Sequence, residues 1–205
     1  MKSSFWLTLL VLTALVTALG VYRVSENKVK EQDLITDLQV RQSPGSVRFL
    51  QLVSDSISYI SLGIPALALA AGLTLRRKRW VRHALIILLG IALGGSISAI
   101  VKRTVKEPRP YEVDKRIAQL SVGGSNSFPS GHTVEATAAA VGFSTLLFRT
   151  PISAVFSFAW AFLIMYSRIV LGVHNVTDIL AGATLGCLGL LIVYRLFELR
   201  PYRES

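Results

Sequence analysis

The chain has 205 residues, of which 52% are hydrophobic and 17% charged, and its mean hydropathy is +0.53. Ordinary soluble domains carry more charge and less apolar surface, so that class is excluded first. The net charge of +10 does not point to nucleic acid, because the basic residues stand beside long apolar runs rather than on an aromatic-interleaved or amphipathic surface. The single cysteine, Cys187, rules out an intrachain disulfide and, inside an apolar run, reads as a small packing residue.

A helix needs about 20 apolar residues to cross a bilayer core. Six stretches qualify, at 5–21, 56–75, 83–101, 133–148, 152–171 and 179–196. The fold class they predict is all-α, an integral-membrane bundle of six transmembrane helices forming a single domain over 1–205. In the first stretch Lys2 precedes the apolar run as in a signal peptide, but 16–20 makes a poor small-residue cleavage site, which favours a retained anchor. The segment 23–55 follows as an outward loop. Leu34, Ile35 and Leu38 have helical spacing there, so part of it reads as an interfacial helix, and Ser43-Pro44-Gly45 breaks it. It serves either as a connector or as a lid that guides substrate. Pro65 is expected to kink the second span. The fourth span is the weakest, opening on polar Thr133, Glu135 and Thr137. Gly90, Gly94, Gly95, Gly182 and Gly186 are expected to mark close helix packing.

Arg76, Arg77, Lys78, Arg79 and Arg82 crowd the turn between the second and third spans, which the positive-inside rule makes cytoplasmic. With an even number of spans both termini are then inside, and 102–132 and 172–178 face outward. The stretch 102–116 is nonetheless basic, a local breach of the rule that a functional demand for positive charge would explain.

Three segments on that outward face hold unusual residues: Lys102 to Arg109-Pro110, then Pro129-Ser130-Gly131-His132, then Ser167-Arg168 followed by His174 and Asp178. A phosphate group needs fixed positive charge, which Lys102, Arg109 and Arg168 supply, the arginines in bidentate fashion. It also suits a helix N-terminus, and Ser130-Gly131 opens the fourth span with room for close backbone approach. His174 and Asp178 lie four apart, on one face of a helix. Asp178 can then fix the imidazole tautomer and leave the other nitrogen free to attack phosphorus. His132, from another helix, is placed to protonate the leaving oxygen and afterwards to activate water. The scheme requires no metal and no cofactor, and no carboxylate cluster suited to a metal is evident.

At these residues the chain resembles the type-2 phosphatidic acid phosphatases, also called lipid phosphate phosphatases. The family pattern is a lysine, six residues and Arg-Pro; Pro-Ser-Gly-His; and Ser-Arg, five residues, His, three residues, Asp. All three parts are met without substitution at Lys102, Arg109, Pro110, Pro129, Ser130, Gly131, His132, Ser167, Arg168, His174 and Asp178. The motifs cover 102–178; the segment 1–55 matches in character only. The resemblance implies a metal-independent phosphatase on a six-helix bundle. Lys102, Arg109, Ser130, Gly131 and Arg168 would bind phosphate, His132 would be the acid, His174 the nucleophile and Asp178 its partner. The implied partners are a lipid phosphate and the bilayer.

Each feature alone has a plainer meaning. Lys102 and Arg109 could face lipid headgroups, Pro129-Ser130-Gly131 could be a turn with Ser130 as helix cap, and His174 with Asp178 a solvated pair. Separately these compete; none predicts convergence on one face. Glu135, one turn after His132, is either a polar helix start or a contact to the site. The expected activity is hydrolysis of a lipid phosphate or diphosphate through a phosphohistidine, at the outer face of a bacterial cytoplasmic membrane. Undecaprenyl diphosphate is favoured as substrate over phosphatidylglycerophosphate, phosphatidic acid and lipid A phosphates. A phosphotransferase and a non-catalytic lipid carrier are the rivals. The sequence does not specify an oligomeric state.

Overall fold

The computed structural model describes residues 28–198, so the predicted first span and both termini lie outside the described residues. Among the described residues nine α-helices follow in order: α1 Lys28–Val40, α2 Pro44–Asp55, α3 Ile57–Ser61, α4 Gly63–Thr74, α5 Lys78–Val105, α6 Pro110–Val113, α7 Gly131–Gly142, α8 Pro151–Val170 and α9 Val176–Glu198. A π-helical turn, Phe143–Leu147, extends α7. No strand occurs among the described residues.

Among the described residues four segments have the length and apolarity to cross a bilayer: Pro44–Thr74, Lys78–Val113, Pro151–Val170 and Val176–Glu198. The helix expected to be weakest, α7, is not among them. Its position explains its polarity. Thr133, Val134, Ala136, Ala138, Ala139 and Ala140 have no exposed surface, because α5, α8 and α9 pack around it. A helix enclosed by protein needs small residues that let its neighbours approach, not lipid-facing bulk. The bulky residues sit instead on the outer helices, where Leu67, Val155, Phe156 and Phe162 are exposed.

Glycine supplies the close approaches. A Cβ at Gly189 would lie 2.5 Å from the Gly90 carbonyl oxygen, and one at Gly94 would lie 2.8 Å from that of Leu185. Gly90, Gly94, Gly182 and Gly186 therefore mark packing as the sequence predicts. Gly95 does not: a Cβ there meets nothing within 4 Å, and the residue lines a cavity instead.

The second span is not one unbroken helix, and its interruption lies upstream of the proline where the kink is expected. The chain is helical to Ser61 and restarts at Gly63, with Leu62 between. Pro65 has no N–H to offer the Ser61 carbonyl, so the helix yields one turn earlier.

Over its described part the segment 23–55 holds the helix expected around Leu34, Ile35 and Leu38, here α1, and the break at Ser43-Pro44-Gly45; the correction is that 44–55 is a second helix, α2, rather than loop. Ser43 caps α2, its hydroxyl accepting from the Ser46 N–H at 3.2 Å, with Pro44 in the first helical position. The helix then leads into the second span, so residues 44–55 belong to the bundle. Helix α1 lies across the ends of α8 and α9. Ile35 is fully buried, and Leu38 packs with Leu50, Val170, Leu171 and Val173. The Gln39 amide fixes the helix there: its Nε2 donates to the carbonyls of Ala118 and Val170, both at 2.9 Å, and its Oε1 accepts from the Ala118 N–H at 2.9 Å.

Candidate active site

The three sequence motifs meet at one end of the bundle. Lys102 lies in the last turn of α5, Arg109 caps α6, Ser130 caps α7, Arg168 ends α8, and His174 and Asp178 bracket the start of α9. The sharp reversal after α8 requires Gly172, whose φ is +74°; a Cβ there would also strike the Ala118 carbonyl oxygen at 2.5 Å. That turn delivers His174 two residues later.

His174 is 2% exposed and Asp178 is fully buried. The His174 Nδ1 lies 3.2 Å from the Asp178 Oδ2. The same oxygen accepts from the Asn175 N–H at 2.8 Å and, closely, from the Ser127 hydroxyl. The carboxylate therefore anchors a loop residue, a turn amide and the imidazole together. The backbone adds a further tie, the Ser130 N–H donating to the Asp178 carbonyl at 3.0 Å. Burial holds His174 well below the ordinary imidazole range, at about 4, with the Asp178 contact pulling the other way. The ring is thus neutral near pH 7. With Nδ1 engaged by a carboxylate, Nε2 carries the free lone pair.

Ser130 forms the cap that the plainer reading expects: its Oγ accepts from the Thr133 N–H at 3.4 Å and the Thr133 hydroxyl at 3.0 Å. The backbone N–H groups of Gly131 and His132, in the first turn of α7, have no partner among the described residues. They form the positive end of the helix, suited to an anion. A Cβ at Gly131 would meet nothing within 4 Å, so the space before this turn is open. His132 stands near enough to Arg168, His174, Arg109 and Lys102 to feel their charges.

The three cations converge on the loop 121–127. Lys102 Nζ donates to the carbonyls of Asn126 at 2.9 Å and Ser127 at 3.2 Å. Arg109 spends all three guanidinium nitrogens on carbonyls, those of Val173 at 2.6 Å, Asn126 at 3.1 Å and Gly124 at 3.2 Å. Arg168 Nη1 donates to the hydroxyls of Ser54 at 2.5 Å and Ser121 at 3.2 Å, while its buried Nε has no partner among the described residues. Arg109 thus clamps the loop with three of its five N–H groups, and Arg168 keeps its Nε donor. Together with the α7 N-terminus, the arrangement can neutralise an oxyanion beside an uncharged nucleophilic nitrogen.

The sequence reading missed two residues here. Ser127 precedes the Pro-Ser-Gly-His motif and looks like ordinary loop. Glu31, on α1, is 7% exposed; its Oε1 accepts from the Val176 and Thr177 N–H groups at the start of α9, the second at 3.2 Å. Helical spacing placed α1 on a surface, but nothing in the sequence links it to a site 145 residues away. No group of His, Cys, Asp and Glu suited to a metal ion occurs among the described residues.

The motif geometry on an all-helical membrane bundle defines the class, and the chain belongs to the PAP2 superfamily, whose pattern matches residues 83–202. It is 36% identical over 125 residues to a decaprenylphosphoryl-5-phosphoribose phosphatase of Mycolicibacterium smegmatis, a match covering 60% of this chain and 63% of that protein. It is 30% identical to a lipid A 4'-phosphatase of Bacteroides thetaiotaomicron, covering 62% of this chain and 60% of that protein. Phosphatidylglycerophosphatase B of Bacillus subtilis is also 30% identical, with 58% of this chain and 60% of the relative covered. The chain therefore spans less than two thirds of the length of the curated relatives it matches. Among solved structures, the transmembrane PAP2-type phosphatidylglycerolphosphate phosphatase of Bacillus subtilis superposes with a TM-score of 0.76 at 23% identity, over 96% of this chain and 98% of that one. Aquifex aeolicus LpxE superposes with a TM-score of 0.65 at 23% identity, over 80% and 93%. At such identity these two speak to the fold: an all-α integral-membrane protein.

Proposed function

We propose that the protein hydrolyses a phosphate monoester of a membrane lipid through a phosphohistidine on His174. The observation that carries this reading is the buried His174–Asp178 pair, with Nδ1 at 3.2 Å from Oδ2, beside three converging cations. His174 Nε2 attacks phosphorus; the N–P bond forms as the ester P–O bond breaks, and His132 gives a proton to the departing oxygen. Water then attacks the phosphohistidine and passes a proton to His132; the N–P bond breaks and inorganic phosphate leaves. Lys102, Arg109, Ser130, Arg168 and the Gly131 and His132 N–H groups neutralise the phosphoryl oxygens, and Arg109 also holds the loop beside them. Asp178 fixes the tautomer and stabilises His174 as it gains charge.

The relatives are named for phosphatases of a phosphoribose, of lipid A and of a glycerophosphate. Their names support a lipid phosphomonoester ahead of undecaprenyl diphosphate, the substrate the sequence alone favours. The basic turn Arg76 to Arg82 lies at the end of the bundle away from His174, which supports an outward-facing site in a bacterial cytoplasmic membrane.

The test uses the full chain purified in detergent with EDTA present, measuring phosphate released from phosphatidylglycerophosphate, phosphatidic acid, a lipid A phosphate and undecaprenyl diphosphate. Release from a monoester that is insensitive to EDTA and lost in a folded His174→Ala variant supports the reading. Full activity in that variant refutes it.

A further inference from the structure

A cavity of about 430 Å³ opens between α4, α5 and α7. Leu62, Leu88 and Ala99 give it an apolar wall, while Lys102, Gly131 and Glu135 bring it to the cluster of cations and the α7 N-terminus. A phosphate held at Lys102 and Gly131 therefore has the rest of its molecule beside Glu135. Glu135 lies four residues beyond Gly131 on α7, a rise of about 6 Å. An ester oxygen, two carbons and a hydroxyl reach about 3–4 Å, and the hydrogen bond from that hydroxyl to a carboxylate oxygen covers about 3 Å more.

Glu135 already acts as an acceptor of hydroxyl groups. Its Oε2 accepts from Ser61 at 3.0 Å and, at the limit of a hydrogen bond, from Ser58 at 3.5 Å. Its other oxygen, Oε1, has no partner among the described residues. An ionisable side chain at this depth, facing a cavity rather than lipid, calls for a functional account. Within the phosphatase reading, on which this inference rests, we propose that Glu135 binds a hydroxyl group on the leaving-group side of the substrate. The preferred lipid then carries its phosphate on a polyol, with a hydroxyl on the carbon next to the phosphorylated one.

The carboxylate discriminates by chemistry. A hydroxyl donates to it. The acyl ester beside the phosphate of phosphatidic acid has no proton to give. The second phosphate of a diphosphate is repelled at short range in a low-dielectric groove. The opposing interpretation is that Glu135 only ties α7 to α3 through the two serines, and then it acts equally on every substrate.

The experiment compares kcat/KM of the full chain for phosphatidylglycerophosphate and for an analogue of the same acyl chains lacking the central hydroxyl of the terminal glycerol. A hydrogen bond to a charged group corresponds to a preference of about tenfold or more for the hydroxyl lipid. Glu135→Ala should bring that ratio close to one, and Glu135→Gln, which keeps an acceptor oxygen and the Ser61 contact, should leave an intermediate ratio. A wild-type ratio near one overturns the proposal, as does an equal loss on both lipids in Glu135→Ala, or a wild-type preference for undecaprenyl diphosphate. Release from phosphatidic acid or a lipid A phosphate but from neither of these two lipids overturns this inference alone, whereas release from no phosphomonoester at all sinks the phosphatase reading, and this inference with it.

Discussion

The carboxylate of Glu31 receives the backbone N–H of Thr177 at 3.2 Å, and by the same oxygen that of Val176. It caps from outside the helix that carries Asp178, just past the turn that carries His174. The cap reaches the site from α1, a segment beyond every motif. With the Gln39 bonds to Ala118 and Val170 at the other end of α1, it pins both ends of the His174 turn. Removing the acceptor frees two backbone donors at the first turn of α9. We expect Glu31→Ala to destabilise the protein by about 1–2 kcal/mol. It should also lower kcat about tenfold with little change in KM, since the fault lies in orientation rather than in phosphate affinity. Glu31→Gln, which keeps the acceptor, should restore most of the rate. Steady-state kinetics beside thermal unfolding check this; equal loss in both variants would show that charge, not the cap, matters.

The same carboxylate and His174 impose opposite pH dependences on stability. Burial pushes Glu31 up to about 7 from an ordinary 4.5, although the two amide bonds oppose it, and Asp178 and Glu107 add repulsion. Between those values the unfolded chain has released a proton that the folded chain keeps, so Glu31 reduces stability as pH rises from about 4.5 to 7. His174 is shifted down, to about 4 from 6.5. Its contribution is present above 6.5 and is lost as pH falls through about 4. Melting curves from pH 4 to 8 should therefore show Glu31→Gln gaining on the wild type as pH rises and His174→Asn gaining as pH falls. Differences of the same sign for both would refute the assignment.

Gly182 sets how closely α9 lies against the cap of α7. A Cβ at this position would sit 2.5 Å from the Ser130 carbonyl oxygen and 3.0 Å from the Thr133 Cβ, and the nearest of these is rigid backbone. Gly182→Ala should cost about 1–3 kcal/mol by overpacking. It should also cut activity, because the shift separates Asp178 from the Ser130 loop. Gly63→Ala, where a Cβ meets nothing within 4 Å, is the control and should stay within about 0.5 kcal/mol of wild type. Unfolding in detergent and a phosphate-release assay read both effects.

Much of the fold is legible in hydropathy, because lipid-facing helices must be apolar along their length. Helix α7 reads weakly for the converse reason: enclosed by neighbours, it uses Thr133, Thr137 and alanines. The pair His174–Asp178 is legible because both residues lie in one turn at helical spacing. Lys102, Arg109 and Arg168 are legible as charges that hydropathy alone does not explain at that end. Their division of labour is not, because it depends on loop carbonyls that any sequence supplies: Arg109 bonds three of them, and Arg168 two serines and one carbonyl. Ser127 on Asp178 and Glu31 on α9 are contacts across 51 and 145 residues, made by residue types common in loops and on helix surfaces. Local pattern carries no trace of such pairings.

The most direct test of the central claim is to trap the covalent intermediate. The full chain would be mixed with a lipid labelled in its terminal phosphate and quenched in alkali, where a phosphohistidine survives, and the labelled peptide sequenced. The account predicts acid-labile label on His174, appearing before free phosphate and absent from His174→Ala. Label on another residue, or rapid phosphate release with none on His174, would contradict it.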